Sequence, residues 1–215
     1  MNHKFALRKE GACVKTAAQI MKSKRFIKAE MDMRMEKTES DALWKRAEHR
    51  LGEILAQYGG ISKGEHSHTD NYIFPAAAIY LTLKETMEQK EAYDVIERSA
   101  IGMTTNAGKK LAGMMKLPGM KSLFVKIWDP MTRKMFGLNN GFKNVFYPKT
   151  KNEFRMDIIA CPYCRYFTEL GCPELTKIYC ENDNRVYGNL TGLEFKRTGT
   201  LGTGAERCDF YLRKL

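Results

Sequence analysis

The sequence predicts an α+β fold in which N-terminal helices are followed by a small antiparallel sheet with two short helices between its strands. Two observations support this fold class. Apolar residues recur at three- and four-residue spacings before Gly141, as on the buried face of a helix. After Gly141 the apolar period changes to two, which is typical of strands buried on one face. Because helices and strands do not alternate regularly, antiparallel pairing is favoured over parallel pairing.

The helical part of the sequence divides into several segments. Helical patterning runs from Phe5 to Tyr58, with a break near residues 37–41 that predicts two helices, and Gly59–Gly60 ends the second. The polar residues 61–71 are typical of a loop. Further helices are predicted from Pro75 onward, from Glu91 to about Ala100, from Gly102 to Lys116 and from Met120 to Phe136.

The sheet is predicted from four segments of alternating or β-branched character. One short helix is expected to begin at Cys161–Pro162 and another at Pro173. We divide the chain into a helical N-terminal extension, residues 1–60, and an α+β domain, residues 61–215. The four predicted strands are Asn144–Tyr147, Glu153–Ala160, Leu193–Thr198 and Cys208–Leu212.

Composition predicts a cytoplasmic protein with free thiols. No apolar run approaches the length of a membrane span, and the first residues lack the apolar core of a secretory signal. Disulfides rarely persist in a reducing cytosol, so the 6 cysteines are expected to be buried residues, metal ligands or reactive thiolates.

The net charge of +11 is concentrated in part of the chain. Residues 101–151 contain 10 Lys and Arg against a single acidic residue, Asp129. Basic amphipathic helices of this kind can lie on an anionic membrane or bind an acidic partner. We favour the interpretation that the apolar stripe is buried, so a membrane partner is not expected. No nucleic-acid-binding motif is present, and a homo-oligomer is left open. The apolar stripe comprises Leu123, Phe124, Ile127, Trp128, Met131 and Met135, and the basic residues around it are Lys110, Lys116, Lys121, Lys126, Arg133 and Lys134.

Five cysteines lie in the last third of the chain. Cys161, Cys164, Cys172 and Cys180 are spaced C-x2-C-x7-C-x7-C, and Cys208 follows in the last predicted strand. A structural zinc site commonly uses two C-x2-C pairs, and only one is present here. The pair at Cys161 also resembles a redox half-site, but the βαβ context is missing. We therefore predict no metal and no cofactor, with zinc as the weaker alternative.

A second candidate metal site lies in the predicted loop. His66 and His68 form a His-x-His motif with Glu65 and Asp70 nearby. A catalytic zinc site needs a third protein ligand and an open position, and histidines in an exposed loop are usually solvated. We favour solvated histidines here.

Several short motifs in the second half of the chain occur together. They are Cys161–Pro162, Gly171–Leu175 (GCPEL), Cys180 with Asp183, Arg197–Leu201 (RTGTL) and Cys208–Phe210 (CDF), preceded by the FPAAAIYLTLKE segment at residues 74–85. Over about residues 70–215 this pattern resembles the L-2-amino-thiazoline-4-carboxylic acid hydrolase family. The resemblance implies a hydrolase that opens the ring of a small carboxylate-bearing heterocycle.

Ring opening of that kind needs a nucleophile, a proton donor and a cation for the substrate carboxylate. Cys180 is the first candidate nucleophile because Asp183 follows one helical turn later and could carry protons. Cys172, just before the helix at Pro173, is the second candidate because the helix dipole favours a thiolate there. Cys208 is the third candidate.

The resemblance also implies residues that bind a small-molecule substrate. Arg197 is expected to hold the carboxylate, with Thr200 and Asp209 beside it. Adjacent strand residues point to opposite faces, so only one of Cys208 and Asp209 can face the site.

Structural roles compete with each of these assignments. Asp183 could only stabilise a turn, and Arg197 could pair with Glu194 or Glu206. Residues 198–204 (TGTLGTG) lack the P-loop pattern and are interpreted as a flexible turn. The alternative function is a non-catalytic domain that binds a small molecule or metal and carries a basic amphipathic helix.

Overall fold

The computed structural model of the chain describes residues 15–215, and its first part is helical. Three helices, rather than the predicted two, precede residue 58, because breaks occur at Ser23–Lys24 and at residues 33–36. Thr16 and Gln19 form a capping box that starts the first helix. The part of the helical prediction from Phe5 to residue 14 lies outside the described residues. The three helices are α1 (Ala17–Lys22), α2 (Arg25–Asp32) and α3 (Lys37–Gln57).

The predicted loop at residues 61–71 is wrong, because this segment is helical. The Ser62 side chain accepts a hydrogen bond from the Glu65 amide while the Glu65 side chain accepts one from the Ser62 amide, which starts α4 (Lys63–His68). A π-helical turn (Thr69–Ile73) then leads into α5 (Phe74–Leu83), which is buried on nearly all sides. The S-x-x-E capping box outweighs the polar composition of the segment.

Two long helices follow. The two helices predicted between Glu91 and Lys116 are a single helix, α6 (Gln89–Met114), which contains Gly102 and Gly108 in its interior. A Cβ at Gly108 would lie 2.7 Å from the carbonyl oxygen of Arg185, so glycine is required for close packing against the neighbouring helix. After Gly119, whose φ is +79°, α7 (Met120–Met135) begins close to the predicted position.

The sheet has four antiparallel strands in the order β1-β2-β4-β3. Two helices, α8 (Pro162–Glu169) and α9 (Leu175–Tyr187), separate the second and third strands in the chain. The fold class predicted from the sequence is therefore confirmed. The strands are β1 (Lys143–Phe146), β2 (Glu153–Ala160), β3 (Leu193–Lys196) and β4 (Cys208–Lys214).

Buried side chains form two cores. In the helical core, α1–α3 pack with α5, α6, α8 and α9. Residues 17–57 therefore contribute apolar side chains to the same core as helices of the predicted α+β domain. In the sheet core, one face of the sheet packs against α7 through Phe124 and Trp128. Tyr163 of α8 contacts both cores. The division at residue 60 stays a prediction.

None of the helices within residues 15–215 combines the length and apolarity required to cross a bilayer.

We expect Gly64→Ala to destabilise the protein by about 1–3 kcal/mol, because the added Cβ would overlap the backbone of Asn139, in the turn that follows α7. Urea unfolding checks the change. The matched control is Gly52→Ala in α3, where no atom lies within 4 Å of the added Cβ. That substitution should be neutral or stabilise by up to about 1 kcal/mol. Equal stability of the two variants would contradict the packing of α4 against the 138–140 turn.

Candidate functional site

The candidate site lies where α9 meets β3, β4 and the turn between these strands. Cys180 and Asp183 are one turn apart on α9, Cys208 begins β4, and Arg197 directly follows β3. The 198–204 turn, which includes a 3-10 helix at Leu201–Thr203, packs against α9. Residues far apart in the chain therefore meet at one position.

Arg197 connects α9 to the sheet. Its Nη1 donates a 2.7 Å hydrogen bond to Oδ2 of Asp183, and its Nη2 donates to the backbone carbonyl of Cys180. The side chain is only 2% exposed, and its guanidinium lies 5.2 Å from the ring centroid of Phe210. Pairing with Glu194 is not observed, since that carboxylate contacts Lys196 and Arg213 instead.

The internal partners of Arg197 give this side chain a structural role. Because one terminal nitrogen donates to Asp183 and the other to the Cys180 carbonyl, this side chain is placed to position α9. Its Nε is buried and lacks a partner among the described residues. Arg197 thus positions α9, and its charge acts on Cys180 and Asp183. Its predicted contact with a substrate carboxylate stays a prediction.

The sulfur atoms of Cys180 and Cys208, which we call the thiol pair, lie against the same turn. The Leu201 amide donates a 3.2 Å hydrogen bond to Sγ of Cys208. The neighbouring Gly202 lies so close to Cys180 that an added Cβ would be 2.8 Å from its Sγ. Both cysteines are free thiols.

The surroundings of the thiol pair favour a thiolate on Cys180. Hydrogen bonds from the Cys208 thiol, the Thr200 hydroxyl and the Gly202 amide, together with the charge of Arg197, lower the pKa of Cys180 although burial opposes this shift. The pKa of Cys208 is raised by its hydrogen bond to Cys180 and by burial. Both shifts favour the negative charge on Cys180 and the proton on Cys208.

Asp183 is poised to exchange protons near neutral pH. Burial raises the pKa of its carboxyl group from 3.8 to about 6, although Arg197 acts in the opposite direction. The Asp183 side chain as a whole keeps some contact with solvent. A carboxyl group with this pKa can be protonated or ionised at the pH of most cells.

Asp209 and Thr200, both predicted to bind substrate, hold the turn in place. Asp209 accepts hydrogen bonds from the amides of Thr198 and Gly199, each 2.8 Å, and from the Thr198 hydroxyl. Thr200 is buried, and its hydroxyl contacts Thr203 as well as Cys180. Hydrogen bonds at both ends therefore hold this turn, which was predicted to be flexible. As expected for adjacent strand residues, Cys208 and Asp209 have different partners.

Cys172 lies in the helical core, whereas Cys208 lies in the sheet core. Its side chain is fully buried, and burial followed by the charge of Glu174 raises its pKa to about 12. Burial therefore disfavours the thiolate that was predicted for Cys172.

Cys161 and Cys164 form a second pair of interacting thiols. Cys161 occupies the position just before α8, and Cys164 lies in the first turn of that helix. Their hydrogen bond raises the pKa of Cys161 and lowers that of Cys164, whose thiol also experiences the charge of Cys180. Within residues 15–215, no group of three or more His, Cys, Asp or Glu side chains is arranged to hold a metal ion.

The two histidines expected to be solvated lie on α4 with protein partners. His66 Nδ1 is 3.0 Å from Oδ1 of Asp70. The ring of His68 is buried, with Nδ1 3.1 Å from the Tyr163 hydroxyl and Nε2 2.8 Å from the Met135 carbonyl oxygen. Burial lowers the pKa of His68. The helix that carries both histidines was not predicted, although the capping box at Ser62 was a signal for it. No local signal indicated the contact between His68 and Tyr163.

The family assignment rests on a match over most of the chain. Residues 66–212 match the model of the L-2-amino-thiazoline-4-carboxylic acid hydrolase family. The chain belongs to this family. No curated protein and no solved structure matches the chain significantly. The region matched to the hydrolase family includes the thiol pair, Asp183, Arg197 and the 198–204 turn, and it leaves α1–α3 outside.

We expect iodoacetamide to alkylate Cys180 before Cys208 and Cys172, because the thiolate is the reactive form and Cys180 has the lowered pKa of the pair. Peptide mass spectrometry after short exposures at several pH values measures each rate. In Cys208→Ala, loss of one donor to the thiolate should raise the pH of half-maximal alkylation by about one unit. Faster modification of Cys208 than of Cys180 would contradict this charge assignment.

We expect Asp183 to make unfolding pH-dependent in a defined direction. Because its folded pKa is about 6 and its ordinary value is 3.8, the folded state binds the proton more tightly, and this stabilisation is lost as the pH rises from about 4 through 6. Urea unfolding of the protein and of Asp183→Asn measures it. The stability of the variant relative to the native protein should increase over this window. A difference that stays constant with pH would contradict the raised pKa.

Proposed function

We propose that the protein hydrolyses a small, carboxylate-bearing cyclic amidine of the thiazoline class, with Cys180 as nucleophile. The single observation that carries this proposal is the convergence of a favoured thiolate, a carboxyl group with a pKa near 6 and a buried arginine at one position. Family membership supplies the class of substrate. L-2-amino-thiazoline-4-carboxylic acid is therefore the first compound to test.

In the first step, the Cys180 thiolate attacks the ring carbon that carries the amino group. A carbon–sulfur bond to Cys180 forms, and the bond from this carbon to the ring sulfur breaks. The departing sulfur leaves as a thiolate and takes a proton. Asp183 is the proposed proton donor, because a carboxyl group with a pKa of about 6 is partly protonated near neutral pH.

In the second step, water attacks the same carbon of the S-linked intermediate. Asp183, now ionised, accepts a proton from the water, and the bond to Cys180 breaks to restore the thiolate. The product carries a carbamoyl group on nitrogen and a free thiol, so one water molecule is consumed per turnover. The Cys208 thiol, the Thr200 hydroxyl and the Gly202 amide make Cys180 a better leaving group, because they stabilise its negative charge.

Arg197 supports both steps without a proposed contact to substrate. Its hydrogen bonds to Asp183 and to the Cys180 carbonyl hold α9 in place, and this helix carries both the nucleophile and the proton carrier. Lysine could not replace it, because a single ammonium group lacks the two terminal nitrogens that donate to both partners at once.

We expect Cys180→Ala to reduce turnover of L-2-amino-thiazoline-4-carboxylic acid by about a thousandfold or more, because the nucleophile is lost. Cys208→Ala should retain turnover but with the pH profile displaced upward, since its thiol only stabilises the charge of Cys180. Chromatographic detection of the N-carbamoyl product measures turnover of each variant.

The matched control is Cys172→Ala, which removes a thiol from the helical core and should lower Tm while leaving kcat near its native value. Full activity in Cys180→Ala would exclude thiol catalysis. Binding of the compound without turnover by the native protein would instead support the alternative of a non-catalytic binding domain.

A further inference from the structure

The segment formed by the second half of α6, the following turn and the first half of α7 has an unusual charge distribution. Residues 101–128, which we call the basic segment, contain no Asp or Glu. Its exposed lysines form no ion pair within the part of the chain that the structure describes, so their charge is not neutralised internally. These exposed lysines are Lys109, Lys110, Lys116 and Lys126.

Large apolar side chains are exposed among these lysines. Met114 and Leu117, at the end of α6 and in the turn, are 48% and 58% exposed, and Leu123 and Ile127 on α7 are 45% and 44% exposed. Leu123 and Ile127 are four residues apart and therefore share a helix face. Exposed apolar side chains of this size indicate a surface that binds an apolar partner.

The fold explains why these residues remain uncovered. Only one side of α7 packs on the sheet, through Phe124, Val125 and Trp128. The apolar stripe predicted to be buried is wider than this contact, so Leu123, Ile127 and Met135 remain outside the core. The expectation of a fully buried stripe is thus wrong for half of its members.

We propose that the basic segment binds the surface of an anionic lipid bilayer, with Met114, Leu117, Leu123 and Ile127 entering the interface and the lysines contacting lipid phosphates. Apolar side chains flanked by long basic side chains and without any carboxylate are the features that peripheral membrane-binding helices share. The complementary partner must be negatively charged, because a second copy would present the same positive surface and be repelled.

A lipid surface fits better than nucleic acid. Binding to a nucleic-acid backbone uses the positive charges and gains nothing from four exposed aliphatic or thioether side chains. Insertion into a bilayer uses both, since the apolar side chains leave water for the acyl region while the lysines contact the anionic headgroups. The apolar residues therefore distinguish the two partners.

Co-sedimentation of the full chain with vesicles tests the proposal. We expect binding to vesicles of phosphatidylcholine with phosphatidylserine, and at least tenfold weaker binding to phosphatidylcholine alone or at high salt. Leu117→Ser with Leu123→Ser should reduce binding at least fivefold without a change in far-ultraviolet circular dichroism. Lys110, Lys116 and Lys126, replaced together by glutamine, should reduce it by a similar factor.

The matched control replaces three exposed lysines elsewhere, Lys45, Lys151 and Lys177, by glutamine and so makes the same change in net charge. This variant should bind vesicles nearly as well as the native protein. Equal losses in the two triple-lysine variants would overturn the proposal, because binding would then follow net charge alone. So would retention of binding in the leucine variant, or binding to double-stranded DNA that competes fully with vesicles. Hydrolase activity in solution is not needed for this test, so its outcome is independent of the proposed function.

Discussion

The site depends on the buried guanidinium of Arg197. Removing an arginine from water is costly unless its donors are satisfied, and here Asp183 and the Cys180 carbonyl meet the two terminal nitrogens. The same contacts join α9 to the end of β3, so the requirement to pair one charge fixes the position of the helix that carries the candidate nucleophile. The stacking of Phe210 under the guanidinium adds a contact from β4.

Local hydrogen bonds then determine where the negative charge lies. The 198–204 turn, held by Asp209, presents the Leu201 amide to Cys208 and the Gly202 amide to Cys180. A sulfur that accepts several hydrogen bonds is stabilised as an anion, and its neighbour keeps the proton. Asp209 and Thr200 therefore hold the turn that lies against the thiol pair, and the substrate contact predicted for them stays a prediction.

The two cores have different relations to the family. The matched region starts within α4 and contains the whole sheet core, while α1–α3 cover the helical core from outside this region. Tyr163 and His68 lie where the cores meet, with the π-helical turn immediately after His68. Such turns are often found at functional sites, and this one lies at the start of the matched region.

Local sequence determined the fold class, the strand positions within a few residues and the one-turn spacing of Cys180 and Asp183, because periodicity and helical geometry are properties of neighbouring residues. It also contained the capping box at Ser62, which polar composition obscured. Tertiary structure alone decided that Cys208 joins Cys180 while Cys172 enters the helical core, and that Arg197 points inward. Tertiary structure also decided that half of the apolar stripe on α7 stays exposed. Contacts between distant segments depend on which faces pack together, and no local pattern specifies this.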